Sequence, residues 1–76
     1  MDRFDAGLDD ARFATLTPRE RDVMHHVVTG KPNKIIAAEL GVSQRTIEAH
    51  RARVFRKLRV RNAVELAHYL ASRRRT

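Results

Sequence analysis

Residues 33–58, NKIIAAELGVSQRTIEAHRARVFRKL, read as two helices hinged at a glycine. Asn33 is placed to cap a helix from Lys34 to about Leu40, with Ile36, Ala37 and Leu40 on one side and Gly41 as its terminator. Val42 turns inward, and Ser43 is placed to cap a longer helix from Gln44 to about Leu58. In that helix Ile47, Val54 and Leu58 recur as a buried stripe, with His50 and Arg51 between them on the same side.

A short turn containing glycine between two such helices predicts a helix-turn-helix. Ala37 is small enough for close helix approach, Gly41 tolerates positive φ, and Ile47 plugs the wedge between the helices. The face opposite Ile47 and Val54 carries Arg45, Glu48, Ala49, Ala52, Arg53 and Arg56. Two alanines keep that face flat, so the helix backbone can sink into a major groove about 12 Å wide while arginines reach phosphates or guanine edges. A solvated helix would alternate its charges, yet Arg45, Arg51, Arg53, Arg56, Lys57, Arg59 and Arg61 crowd this one and its exit, with Glu48 the single acid among them.

Upstream, Thr17, Pro18 and Glu20 form a capping box with proline in the first turn. Val23, Met24, Val27 and Val28 then recur at helical spacing until Gly30 ends the helix. Downstream, Asn62 and Glu65 repeat the capping signal for a fourth helix ending near Ser72. That helix carries two apolar stripes: Ala63, Leu66 and Leu70 on one side, and Val64, Ala67, His68 and Ala71 on the other. One stripe serves the core, and the second is a candidate dimer interface that would set two recognition helices in half-sites about 34 Å apart. Tyr69 is expected at the edge between the stripes, its hydroxyl toward solvent. The fold class is all-α with four helices and no strand signal. The domain spans residues 16–72, between an acidic N-terminal arm or interdomain linker (1–15) and a frayed basic tail (73–76). A short helix around Asp9 to Ala14 would let Phe13 rest on the core.

Composition narrows the function classes. The chain has 76 residues, 16 Lys and Arg against 9 Asp and Glu, and no cysteine. One small domain leaves no room for a deep substrate cleft, so an enzyme is the least expected reading. Residues 1–16 hold four aspartates against two arginines, a net −2, so the remainder carries +9 and the whole chain +7. An excess of that size points to a polyanionic partner. Without cysteine there is neither a disulfide framework nor a thiolate zinc site, which suits the cytoplasm. No apolar run exceeds four residues, so a signal-peptide core and a membrane span are both absent. His25 and His26 diverge on their helix and no histidine pair stands at i, i+4, so neither a metal nor another cofactor is expected. Ser43 and Thr17 are read as caps, not nucleophiles.

From Leu16-Thr17-Pro18-Arg19-Glu20 through Asn33-Lys34-Ile35-Ile36-Ala37, Thr46-Ile47-Glu48-Ala49-His50 and Lys57-Leu58 to Val64-Glu65, the chain resembles the LuxR/FixJ-type DNA-binding domain of bacterial transcription regulators. The resemblance covers about residues 16–72. It implies a third helix in the major groove, a fourth supporting dimerisation on DNA, and transcription regulation, often as the output domain of a two-component response regulator with a separate sensing domain before it. It also implies phosphate contacts at Lys34 and Thr46 and base reading at Glu48, Ala49 and Ala52. Basic or amide side chains are frequent at those reading positions, whereas glutamate only accepts, most naturally from cytosine N4, and alanine offers contact to a thymine methyl. The candidate DNA-binding set is therefore Lys34, Gln44, Arg45, Thr46, Glu48, Ala49, His50, Ala52, Arg53 and Lys57, with His50 either packed or touching phosphate. The expected partners are double-stranded DNA, a second copy of the chain and RNA polymerase. The competing reading is a non-enzymatic interaction module that docks a regulator or polymerase through the fourth helix.

Overall fold

The computed structural model describes residues 11–75. A helical turn over residues 11–14 leads into α1 (Pro18–Val28), α2 (Asn33–Leu40), α3 (Gln44–Leu58) and α4 (Ala63–Arg75), with no strand among the described residues. The all-α expectation holds. Residues 1–10 of the acidic arm, including Asp9 where the short helix was expected to start, lie outside the described residues, as does Thr76 of the basic tail.

The caps explain why the elements begin and stop where they do. Thr17 Oγ1 accepts from Glu20 N at 3.1 Å, and Glu20 Oε1 accepts from Thr17 N at 3.0 Å, which completes the capping box of α1. At its far end Gly30 takes φ +87°, Gly30 N donates to Val27 O and Lys31 N to His26 O, a Schellman stop. Ser43 Oγ accepts from Thr46 N at 3.1 Å and caps α3. Asn62 Oδ1 accepts from Glu65 N at 2.9 Å, while the Glu65 carboxylate receives Arg61 N at 2.8 Å and not the cap residue itself.

Three local expectations need correction. Asn33 does not cap α2: Pro32 holds that position with extended backbone, its carbonyl accepting from Ile35 and Ile36, and Asn33 becomes the first helical residue. Proline's fixed φ suits this entry, and it leaves Asn33 Oδ1 buried without a hydrogen-bond partner among the described residues. Tyr69 is not a rim residue; it is 9% exposed and belongs to the core, with the Arg12 guanidinium 5.4 Å from its ring centre. The last helix, expected to end near Ser72, continues through Arg75.

Val23, Met24, Ile36, Ile47, Val54, Leu58 and Leu66 are each fully enclosed. α1 and α2 form a cradle for α3, the longest helix, and α4 packs on α1. Ile47 at 0% exposure is the wedge between α2 and α3. Burying a side chain of that size contributes roughly 1.5–3 kcal/mol, a large share for so small a core. Among the described residues no helix is long and apolar enough to cross a membrane.

Candidate nucleic-acid interface

With Ile47, Val54 and Leu58 turned into the cradle, helical geometry forces the other side of α3 outward. Gln44, Arg45, Glu48, Ala49, Ala52, Arg53 and Arg56 are all exposed. The face is therefore flat along Ala49 and Ala52 and flanked by guanidinium groups, as its sequence anticipated. Thr46 is half-buried, its hydroxyl 3.0 Å from that of Ser43 at the N-terminus of the same helix. Lys34 stands exposed in the first turn of α2. His50 is half-buried with Nδ1 enclosed and unpartnered among the described residues, so its ring sits on the packed edge of the face.

Lys57 departs from expectation. Its Nζ lies 2.7 Å from Glu20 Oε1 and 3.0 Å from the Thr15 carbonyl, so it closes a contact inside the fold. Glu20 is only 2% exposed. Burial alone would raise the pKa of its carboxyl, but the Lys57 hydrogen bond, the Thr17 amide and the positive charges of Lys57 and Arg53 outweigh that and hold it below the ordinary 4.5. This clamp was not legible in the chain, because its partners are 37 residues apart and Glu20 already had a sufficient role as a capping residue. The same holds for Arg12, whose Nη1 donates to the Leu58 carbonyl at 3.1 Å across 46 residues.

On α4 the two stripes separate as expected. Leu66 is buried and Ala63 and Leu70 are half-buried, whereas Val64 is 65% exposed and Ala67, His68 and Ala71 also face solvent. A shallow, largely apolar groove adjoins this surface, lined by Phe13, Val28, Leu70 and Ala71 with His25 and Arg73 at its polar margin. At the α1–α2 corner, Glu39 accepts from Lys31 Nζ at 2.7 Å and lies 3.5 Å from His26 Nδ1. Among the described residues no group of three or more His, Cys, Asp or Glu side chains could hold a metal ion.

The sequence profile of the luxR family of bacterial regulatory proteins matches residues 14–70. The chain belongs to that family. This LuxR-family domain is 45% identical to the transcriptional regulatory protein FixJ of Rhizobium meliloti, over 82% of the chain and 33% of the relative. It is 53% identical to the transcriptional regulatory protein UhpA of Salmonella typhimurium over 70% of the chain and 27% of that protein. Its identity to the nitrate/nitrite response regulator protein NarP of Escherichia coli is 41%, over 76% of the chain and 26% of the relative. Among solved structures, the response regulator StyR superposes with TM-score 0.89 at 35% identity, over 91% of the chain and 35% of StyR. Full-length FixJ from B. japonicum superposes with TM-score 0.83 at 37% identity, over 99% of the chain and 37% of that protein. The LuxR-family domain thus spans about a quarter to somewhat over a third of the length of these relatives. It is a helix-turn-helix domain of the non-enzymatic, DNA-binding type found in transcriptional regulators.

Proposed function

We propose that this domain binds double-stranded DNA sequence-specifically by inserting α3 into the major groove, as the output domain of a two-component-type regulator of transcription. The observation that carries the reading is the outward face of α3, where exposed Arg45, Arg53 and Arg56 border the flat strip of Ala49 and Ala52. Gln44, Thr46 and His50 lie at the N-terminal end and edge of that face, Lys34 is exposed in the first turn of α2, and all four serve as backbone contacts. Lys57 supports the helix from behind through Glu20. Phosphate neutralisation makes such binding steeply salt-dependent, each contact adding about −0.9 to the slope of log K against log salt. The test is a salt titration of duplex binding with the chain and with a Lys34→Ala, Arg45→Ala, Arg53→Ala variant. A shallower slope and weaker binding are expected, and unchanged affinity would refute the assigned face.

The exposed Val64, Ala67, His68 and Ala71 stripe supports a two-fold dimer on DNA. Val64→Asp is expected to leave the fold intact and to abolish cooperative binding to a two-fold site, while binding to a single half-site persists. The same stripe also favours one other reading, docking of another protein such as RNA polymerase. A complex with polymerase that Val64→Asp disrupts, without any duplex affinity in the parent chain, would favour that role over DNA recognition.

A further inference from the structure

We propose that the shallow groove between α1 and α4 is the seat of the chain's own acidic arm, residues 1–10, which lays Phe4 and Leu8 on its apolar floor. The groove has a volume of about 480 Å³, and Val28, Ala67, Leu70 and Ala71 line it together with Phe13. Among the described residues Val28 and Leu70 stay half-buried there, and Ala67 and Ala71 face solvent. Length, spacing and charge point to the arm as the occupant. It ends at residue 10, three positions before Phe13, so it arrives at the rim of the groove. Extended chain spans up to about 3.3–3.6 Å per residue, so the six steps from Asp10 back to Phe4 can follow the floor for roughly 20 Å. Phe4 and Leu8 are four positions apart and share a side whether the segment is extended or helical. Asp5 and Asp9 have the same spacing and form a line of their own. The arm carries four aspartates against Arg3, and the rim where it arrives is cationic, with Arg73 4.0 Å and Arg21 4.9 Å from the centre of the Phe13 ring. An apolar pair fenced by aspartates thus meets an apolar floor fenced by arginines.

Occupancy of the groove bears on pairing, a consequence that rests on the dimer proposed above. Ala67 and Ala71 belong both to the groove and to the exposed stripe with Val64 and His68. An arm seated on them covers half of that stripe, so seating and pairing exclude one another. A short tether holds the arm at an effective concentration on the order of millimolar, which a second copy must outcompete. The arm is therefore an intramolecular brake on two-fold association, released when it is drawn off the groove.

The chain has no tryptophan, so Phe4→Trp places a single fluorescent reporter on the arm. Acrylamide should quench its emission several-fold less than that of a free indole, to the same extent at every protein dilution. Ala71→Glu sets a like charge on the exposed floor of the groove, and Leu8→Asp sets a charge on the arm. Either change, added to Phe4→Trp, should restore full quenching while helical circular dichroism stays the same. A reporter quenched as readily as free indole without those changes would overturn the proposal. So would protection that survives Ala71→Glu, which would place the arm elsewhere, or protection lost on dilution, which would place it on a second copy. Binding to a two-fold duplex reads the brake separately: Leu8→Asp should raise cooperativity several-fold, and unchanged cooperativity would overturn the brake. Absence of all duplex binding would sink the proposed function instead, and the quenching result would stand without it.

Discussion

Lys57 Nζ reaches from the last turn of α3 to Glu20 Oε1 in the first turn of α1, 2.7 Å away. The lysine side chain is 30% exposed and the glutamate 3%. One carboxylate oxygen thereby serves the Thr17 amide and the ammonium together, and joins the start of the domain to the end of its recognition helix. Removing either partner has different consequences.

Lys57→Ala would leave a buried carboxylate without its counter-charge. Breaking a fully buried pair costs about 3–5 kcal/mol, and partial exposure of the lysine reduces this to about 2–3 kcal/mol. Urea unfolding followed by helical circular dichroism should show that loss. An unchanged midpoint would mean that the ion pair contributes nothing to the fold.

The pH dependence follows from the depressed carboxyl of Glu20. A group whose pKa is lower folded than unfolded contributes stability that is complete above its unfolded value and is lost as pH falls through the folded one. The contribution of Glu20 is therefore expected to be full above about pH 4.5 and to fade below it. Glu20→Gln should be least stable relative to the parent chain near neutrality, and the gap should close as acid protonates the parent's carboxyl. A gap that stays constant from pH 7 to pH 3 would contradict this.

Two left-handed residues should respond in opposite directions to substitution. Gly41 at φ +72° has open space where a Cβ would stand, so Gly41→Ala meets no clash and is opposed by backbone strain of about 1 kcal/mol. Arg59 holds φ +59° with a side chain, so Arg59→Gly relieves a similar strain and gives back part of it as unfolded-chain entropy. A net gain of up to about 0.5 kcal/mol raises Tm by up to about 2–4 degrees in a domain of this size. Thermal melts that shift both variants the same way would disprove the strain argument.

Ala52→Leu separates folding from recognition. Position 52 faces solvent, so unfolding free energy should stay within about 0.5 kcal/mol of the parent. Added bulk on the strip would hold the backbone of α3 off the groove floor, and we expect duplex affinity to drop by at least about tenfold in an anisotropy titration. Retained affinity would show that α3 does not enter the groove along that strip.

What could be read from the chain follows from the range of the forces concerned. The capping box at Thr17 and Glu20, the stop at Gly30 and the cap at Ser43 are decided within a few residues, so the order of helices was legible. Helical period alone sent Ile47 and Val54 inward and Ala49 and Ala52 outward. Asn33 misled because its side chain competes with the fixed φ of the preceding proline for one role. Tyr69 and Lys57 misled for a different reason. Their surroundings are set by Arg12, Thr15 and Glu20, which arrive from distant parts of the chain and leave no periodic trace.

The ring of Phe13 is clasped between two guanidinium groups, Arg73 at 4.0 Å and Arg21 at 4.9 Å from its centre. Two cations on one ring give the lead-in segment a foothold several residues ahead of α1. Tension applied from the N-terminal side would thus be borne at residues 12 and 13 together, and shared through Arg73 with α4 and through Arg12 with the carbonyl end of α3. A slack tether would absorb such a pull. A riveted one delivers it to the helix proposed to touch DNA and to the helix proposed to touch a second copy.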